Sequence, residues 1–189
     1  LGFLLFSLVS GVVYIINDIV DIEKDRQHPR KRQRPLASGA LSPRLALGFA
    51  IVVGLVSLAI AFWLSTGFGL VLTGYLVLQI AYSLYLKNIV LLDIIAIAAG
   101  FVLRVGAGTP LVDAENFSPW LYICTTLLAL FLALGKRRGE LILLGEDAGN
   151  HRESLQFYTC GLLDQLISLV TSRSEERRVG KECTLPCRS

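Results

Sequence analysis

Six apolar runs, at about residues 1–16, 45–64, 68–86, 89–107, 119–135 and 155–171, restrict this chain more than any other feature it has. Most approach the ~20 residues an α-helix needs to cross the hydrocarbon core of a bilayer. Inside hydrocarbon a backbone must satisfy its own N–H and C=O groups, so runs of this kind are helices. The expected fold is therefore all-α, a polytopic transmembrane helical bundle. With 53% hydrophobic residues and a mean hydropathy of +0.61, the chain lacks the polar surface of a soluble domain.

The first and last runs are short, the chain opens on Leu1 rather than Met, and no charged n-region precedes the first run. The start reads as internal to a longer protein, with no signal peptide. Loop charge sets the orientation. Seven Lys and Arg residues (24, 26, 30, 31, 32, 34 and 44) follow the first run, Lys87 follows the third, and residues 136, 137, 138 and 152 follow the fifth. The intervening loops, 65–67 and 109–119, carry none, and the second holds Asp113 and Glu115. By the positive-inside rule the basic connections face the cytoplasm. A site assembled from them is a single cytoplasm-facing chamber.

Where the first run ends, the chain reads Asn17-Asp18-Ile19-Val20-Asp21-Ile22-Glu23-Lys24-Asp25, followed by Arg26 and the cations Arg30, Lys31, Arg32 and Arg34. Asp18, Asp21 and Asp25 stand at i, i+3 and i+7, on one side of a continuing helix. Three like charges on one face repel unless a cation sits among them. Mg²⁺ meets that need, since it takes oxygen ligands and is held by one or two carboxylates plus the phosphates of a substrate. Lys31, Arg32 and Arg34 then suit the phosphate oxygens that the metal leaves free. The competing reading is a charged, solvated loop between helices, which leaves the helical spacing unexplained.

A second set of polar residues lies at or within later runs. Tyr82 and Lys87 flank a tight turn, and Asp93 falls about one turn inside an apolar helix, at a cost of roughly 3 kcal/mol on insertion scales. Arg104 follows eleven residues on, within about 20° of the same face and about 16 Å along the axis. Two charges on one stripe suggest the polar wall of a cavity; the alternatives are a helix N-terminal acid and a snorkelling arginine. Lys136 and Arg137 sit at a membrane exit, suited to an anionic headgroup or simply to the positive-inside rule. His151 has no companion at ligand spacing, and the four cysteines form no metal pattern.

From about residue 172 the apolar pattern gives way to a polar string through Ser189 that looks like translated adapter sequence. The domain reading is thus 1–171 for the membrane unit and 172–189 for a non-native tail. The five basic and three acidic residues of that tail supply two of the three net positive charges, so basicity is no argument for nucleic-acid binding.

With these residues in view, the stretch Asn17-Asp18-x-x-Asp21-x-x-x-Asp25 resembles the first aspartate-rich motif of the UbiA-type membrane prenyltransferase superfamily. The extended pattern is His28-Pro29-x-Lys31-x-x-Arg34-Pro35, then Tyr82-Ser83-x-x-Leu86-Lys87 with Asp93 and Arg104, then Gly135-Lys136-Arg137-x-x-Glu140. It resembles the decaprenyl-phosphate phosphoribosyltransferase branch, which His151-Arg152 and Tyr158-Thr159 also fit. Such proteins have about nine transmembrane helices, so about six spans are expected here, in a fragment that is itself inactive. Where prenyl-diphosphate enzymes carry a second aspartate-rich motif, this chain has Lys136, Arg137 and Glu140.

The resemblance implies Mg²⁺-dependent transfer of a 5-phosphoribosyl group from phosphoribosyl diphosphate to a polyprenyl phosphate at the cell membrane, for arabinan-type envelope precursors. It implies Asp18, Asp21 and Asp25 as metal ligands, and Asp18, Asp21 and Asp93 as catalytic. Asn17, Lys31, Arg34, Tyr82, Lys87, Arg104, Lys136, Arg137 and Glu140 are the implied substrate-binding residues. The competing functions are a UbiA-type prenyl transfer to an aromatic acceptor and a non-enzymatic transporter or scaffold. Isoprenoid length and oligomeric state stay open.

Overall fold

A computed structural model describes residues 1–27, 31–111, 119–144 and 153–182. Among the described residues the α-helices are α1 (Gly2–Val20), α2 (Ile22–Gln27), α3 (Pro43–Leu64), α4 (Thr66–Leu84), α5 (Leu92–Gly106), α6 (Pro119–Leu144) and α7 (Cys160–Glu182). Among the described residues there is no strand. Five helical segments among these residues are long and apolar enough to cross a membrane, namely α1, α3, α4, α5 with its extension to Leu111, and α6. The sixth expected crossing is corrected. Residues 153–157 form a 3₁₀ turn, α7 starts only at Cys160, and its apolar part ends at Ser172, short of a full crossing.

Helices adjacent in sequence pack against each other, from α3 with α4 through α6 with α7, while α1 packs on both α3 and α4. Two cores result. Leu5, Phe6, Val9 and Val13 of α1 meet Ala61 of α3, Phe68, Leu72 and Tyr75 of α4, and Ala107. Ile94 of α5 meets Ala133 and Leu134 of α6, with Leu155, Tyr158 and Leu163 beyond them. Large apolar side chains point outward, among them Phe3 (81% exposed) and Trp63 (84%), as expected where lipid is the solvent.

The buried residues of α3 are Ala46, Ala50, Gly54, Ser57 and Ala61, all small and all on one face. Lipid offers no hydrophobic drive for helices to associate, so close backbone approach along such a face supplies the packing. The α3–α4 connection is a single extended residue, Ser65, whose hydroxyl accepts from the Phe68 N–H at the start of α4. Gly69 lets the Phe62 ring lie close beside it, since a Cβ there would stand 2.6 Å from that ring and displace it.

This up-and-down order collects one set of helix ends. The C-termini of α1, α4 and α6 and the starts of α5 and α7 lie together, and the polar contacts described below join them. Gly67 approaches Pro110, and Thr109 bonds the Tyr122 hydroxyl, at the other end.

Candidate functional site

The acidic motif forms where α1 turns into α2. Asp21 sits at the bend (φ −97°, ψ 11°), yet the helical hydrogen bonds run through it, from the Asp21 N–H to the Asn17 carbonyl and from the Asp25 N–H to the Asp21 carbonyl. The helical spacing read from the sequence is therefore kept. Asp18 and Asp25, seven residues apart, share a side, and both accept from one Arg34 nitrogen, Nη1, at 2.6 and 2.9 Å. Lys31 stands 3.9 Å from Asp25, which is buried. Asp21 is rotated about 60° away, as a three-residue step requires, and pairs with the Lys87 ammonium. Asn17 accepts a 3.3 Å hydrogen bond from Ser83 of α4.

A second cluster lies behind this one. Asp93, in the first turn of α5, and Arg137 of α6 are both 0% exposed, with Arg137 Nε and Asp93 Oδ2 2.8 Å apart. Asp93 Oδ1 accepts from the Ile94 N–H and from the Tyr158 hydroxyl, each at 2.8 Å. Arg137 also pairs with Glu140 and donates to the Tyr82 hydroxyl at 3.2 Å. Burial pushes the Tyr158 hydroxyl up to about 12, with the Asp93 carboxylate adding to the shift, so it remains a proton donor at neutral pH.

The expectation of Asp93 and Arg104 on one open polar wall is corrected. Asp93 is sealed against α6, whereas Arg104 turns to the other core. Its guanidinium donates to the Tyr75 hydroxyl at 2.7 Å and to Ser10 at 3.4 Å, and lies 5.8 Å from the centre of the Phe6 ring. It lines a mostly apolar cavity of about 600 Å³ with Phe3, Phe68 and Leu111, away from the acidic motif. The basic connection after the fifth run is also corrected, since Lys136, Arg137 and Glu140 ride on the last turns of α6 rather than on a loop. Lys136 is exposed there.

The structure thus brings together Asn17, Asp18, Asp21, Asp25, Lys31, Arg34 and Lys87, and, one layer deeper, Tyr82, Asp93, Arg137 and Glu140. Arg104 is not in this group. Sequence reading missed Ser154, whose hydroxyl carries no pattern of its own, and gave Ser83 no role beyond its place in the Tyr82–Lys87 pattern. His28, Pro29, Arg30, Asp113, Glu115, His151, Arg152, Cys183 and Cys187 lie outside the described residues.

Among the described residues no three carboxylate, imidazole or thiolate groups converge as a ready-made metal cage. A preformed cage is not what Mg²⁺ asks of a protein when a substrate brings phosphates. Asp18 and Asp25 already share one cationic nitrogen, and that oxygen donor set fits a hard divalent ion.

These features define a polytopic membrane bundle with a charged cluster at one set of helix ends. Residues 1–138 match the model of the UbiA prenyltransferase family, and the chain belongs to that family. Among its relatives is the decaprenyl-phosphate phosphoribosyltransferase of Mycolicibacterium smegmatis, 36% identical over 162 residues, which are 86% of this chain and 51% of that protein. The protein of the same name from Mycobacterium tuberculosis is 36% identical over 159 residues, 84% of this chain and 52% of the relative. That of Corynebacterium glutamicum is 34% identical over 161 residues, 84% and 48% respectively. The chain spans about half the length of these curated relatives.

Proposed function

We propose that this chain supplies the polar face of a site that transfers 5-phosphoribosyl from phosphoribosyl diphosphate to a polyprenyl phosphate. The product lipid would serve envelope arabinan-type precursors, and the site would face the cytoplasm from the cell membrane. The observation that carries the reading is the interleaving of charge at one end of an apolar bundle. Arg34 bridges Asp18 and Asp25, and Lys87 holds Asp21, so carboxylates and phosphate-seeking cations occupy the same mouth. The names of the relatives supply the substrate class, and the Lys136, Arg137 and Glu140 stretch in place of a second acidic motif favours it over prenyl transfer.

In this reaction the bond between ribose C1 and the diphosphate oxygen breaks, and its electron pair leaves with diphosphate. A new bond forms between C1 and a lipid phosphate oxygen. That nucleophile is already an anion, so the protein need not remove a proton. Its task is to hold two anions close together and neutralise the charge that gathers on the leaving group. Mg²⁺, held by Asp18 and Asp25 with Asp21 beside them, would supply Lewis-acid neutralisation of the diphosphate. Arg34, Lys31 and Lys87 stand next to those carboxylates, so an arriving phosphate meets donors already in place. Asn17 is oriented by Ser83. Asp93 and Arg137 act from behind, fixing the Tyr82 hydroxyl and the start of α5.

Asp18→Asn and Asp21→Asn test this in membranes carrying the complete reading frame. Mg²⁺-dependent turnover should fall by about 100-fold or more, in line with the loss of a charge-stabilising group, while thermal unfolding in detergent stays unchanged. Unchanged turnover in both variants would remove the metal site from the account.

A further inference from the structure

The connection between α4 and α5, residues 85–91, contains Lys87, and its backbone cannot complete its own hydrogen bonds. A 3₁₀ turn, Leu86–Asn88, uses the carbonyls of Tyr85 and Leu86 but leaves that of Lys87 pointing elsewhere. Leu91, which precedes α5, has φ +66°, a left-handed conformation that a branched side chain rarely takes, and this aims its N–H away from the helix. Buried backbone groups need partners, and both find them on one short segment. The Ser154 hydroxyl donates to the Lys87 carbonyl at 3.0 Å, and the Leu91 N–H donates to the Tyr158 hydroxyl at 2.7 Å. Ser154 and Tyr158 are themselves buried, at 0% and 4% exposure.

On its opposite side the same connection meets the acidic motif through Lys87 with Asp21, beside the contact of Ser83 at the end of α4 with Asn17. The Lys87 side chain is 6% exposed, so its ammonium depends on where the turn is held. We propose that Ser154 and Tyr158 are positioning residues for the diphosphate site: they fix the 85–91 connection from behind and so set the reach of the Lys87 ammonium into the acidic motif. The segment just before α7 thereby becomes part of the donor-binding apparatus without touching the donor. Strain at Leu91 fits the role, since a left-handed residue persists only where its surroundings over-determine it.

This proposal rests on the phosphoribosyl reading and is tested with it in the complete protein. Ser154→Ala, Tyr158→Phe, Ser154→Thr, Lys87→Ala and the Ser154→Ala/Lys87→Ala pair are compared for steady-state kinetics and for binding of inorganic diphosphate with Mg²⁺. Ser154→Ala should raise KM for phosphoribosyl diphosphate roughly 3- to 10-fold, the size of one lost hydrogen bond, with KM for the lipid phosphate unchanged. Ser154→Thr should restore it, and the Ser154 change should have no effect once Lys87 is alanine. Equal effects of Ser154→Ala with and without Lys87, or a loss of thermal stability with no change in KM, would overturn the positioning role. If Lys87→Ala leaves diphosphate binding intact, the parent reading of the site fails instead. Tyr158→Phe should weaken diphosphate binding in the same direction, and wild-type affinity in it would limit the brace to Ser154.

Discussion

Arg137 and Asp93 show how a single residue can hold a bundle together without gaining much net energy. Both charges are fully out of water, and their attraction mostly offsets the cost of putting them there. The asymmetry appears on deletion. Arg137→Ala leaves the Asp93 carboxylate buried without its guanidinium, and we expect a loss of about 3–5 kcal/mol in detergent unfolding. The Arg137→Met/Asp93→Leu pair should be less destabilised than that single variant. Near-identical stability of Arg137→Ala and wild type would mean that the pair is not closed in solution. Leu91 behaves in the opposite sense. Its φ of +66° suits glycine, so Leu91→Gly should gain on the order of 1 kcal/mol in the same measurement. The i, i+3, i+7 spacing of Asp18, Asp21 and Asp25 is visible in the sequence because it needs only helical geometry. The left-handed Leu91 is not, because leucine is a residue from which no one would read that conformation. Nor is the Asp21–Lys87 pair, which joins residues far apart in sequence.

The elements are decided by which faces are small and which are large. α3 turns Ala46, Ala50, Gly54, Ser57 and Ala61 inward and its bulk outward, and a Cβ on Gly54 would lie 3.7 Å from Val12 of α1. Gly54→Leu should therefore force α1 and α3 apart and cost about 1–3 kcal/mol, whereas a leucine at exposed Gly48 on the same helix should cost much less. Equal unfolding midpoints for the two variants would show that this face is not a packed one. Apolar runs are a good guide to such helices, and five of six appear as crossings. Two boundaries escaped the pattern. The run from 155 is broken because Ser154 and Tyr158 spend their hydroxyls on the α4–α5 connection, which keeps residues 153–157 in a 3₁₀ turn. α6 continues through its basic residues to Leu144, since helix does not stop for charge when Arg137 has Glu140 one turn on.

At the scale of the molecule, alternating helices bring the acidic motif, Lys87 and the end of α6 to one side, and that side was legible from loop charge. Which compartment it faces is a separate matter, tested by labelling. In a cysteine-free background, Lys24→Cys should react with an impermeant thiol reagent only after permeabilisation, and Thr109→Cys in intact cells. The reverse pattern would put the site outside. Arg104 marks where sequence reading ran out. It shares a helical stripe with Asp93, but the three-helix packing of α1, α4 and α5 gives it Tyr75 and Phe6 as neighbours instead. The central claim is that the interleaved acids and cations serve a phosphoribosyl donor. Its most direct test supplies membranes carrying the complete reading frame with ribose-labelled phosphoribosyl diphosphate and a polyprenyl phosphate. Mg²⁺-dependent appearance of label in the lipid extract is the expected result, and consumption of a prenyl diphosphate with no label in lipid would contradict it.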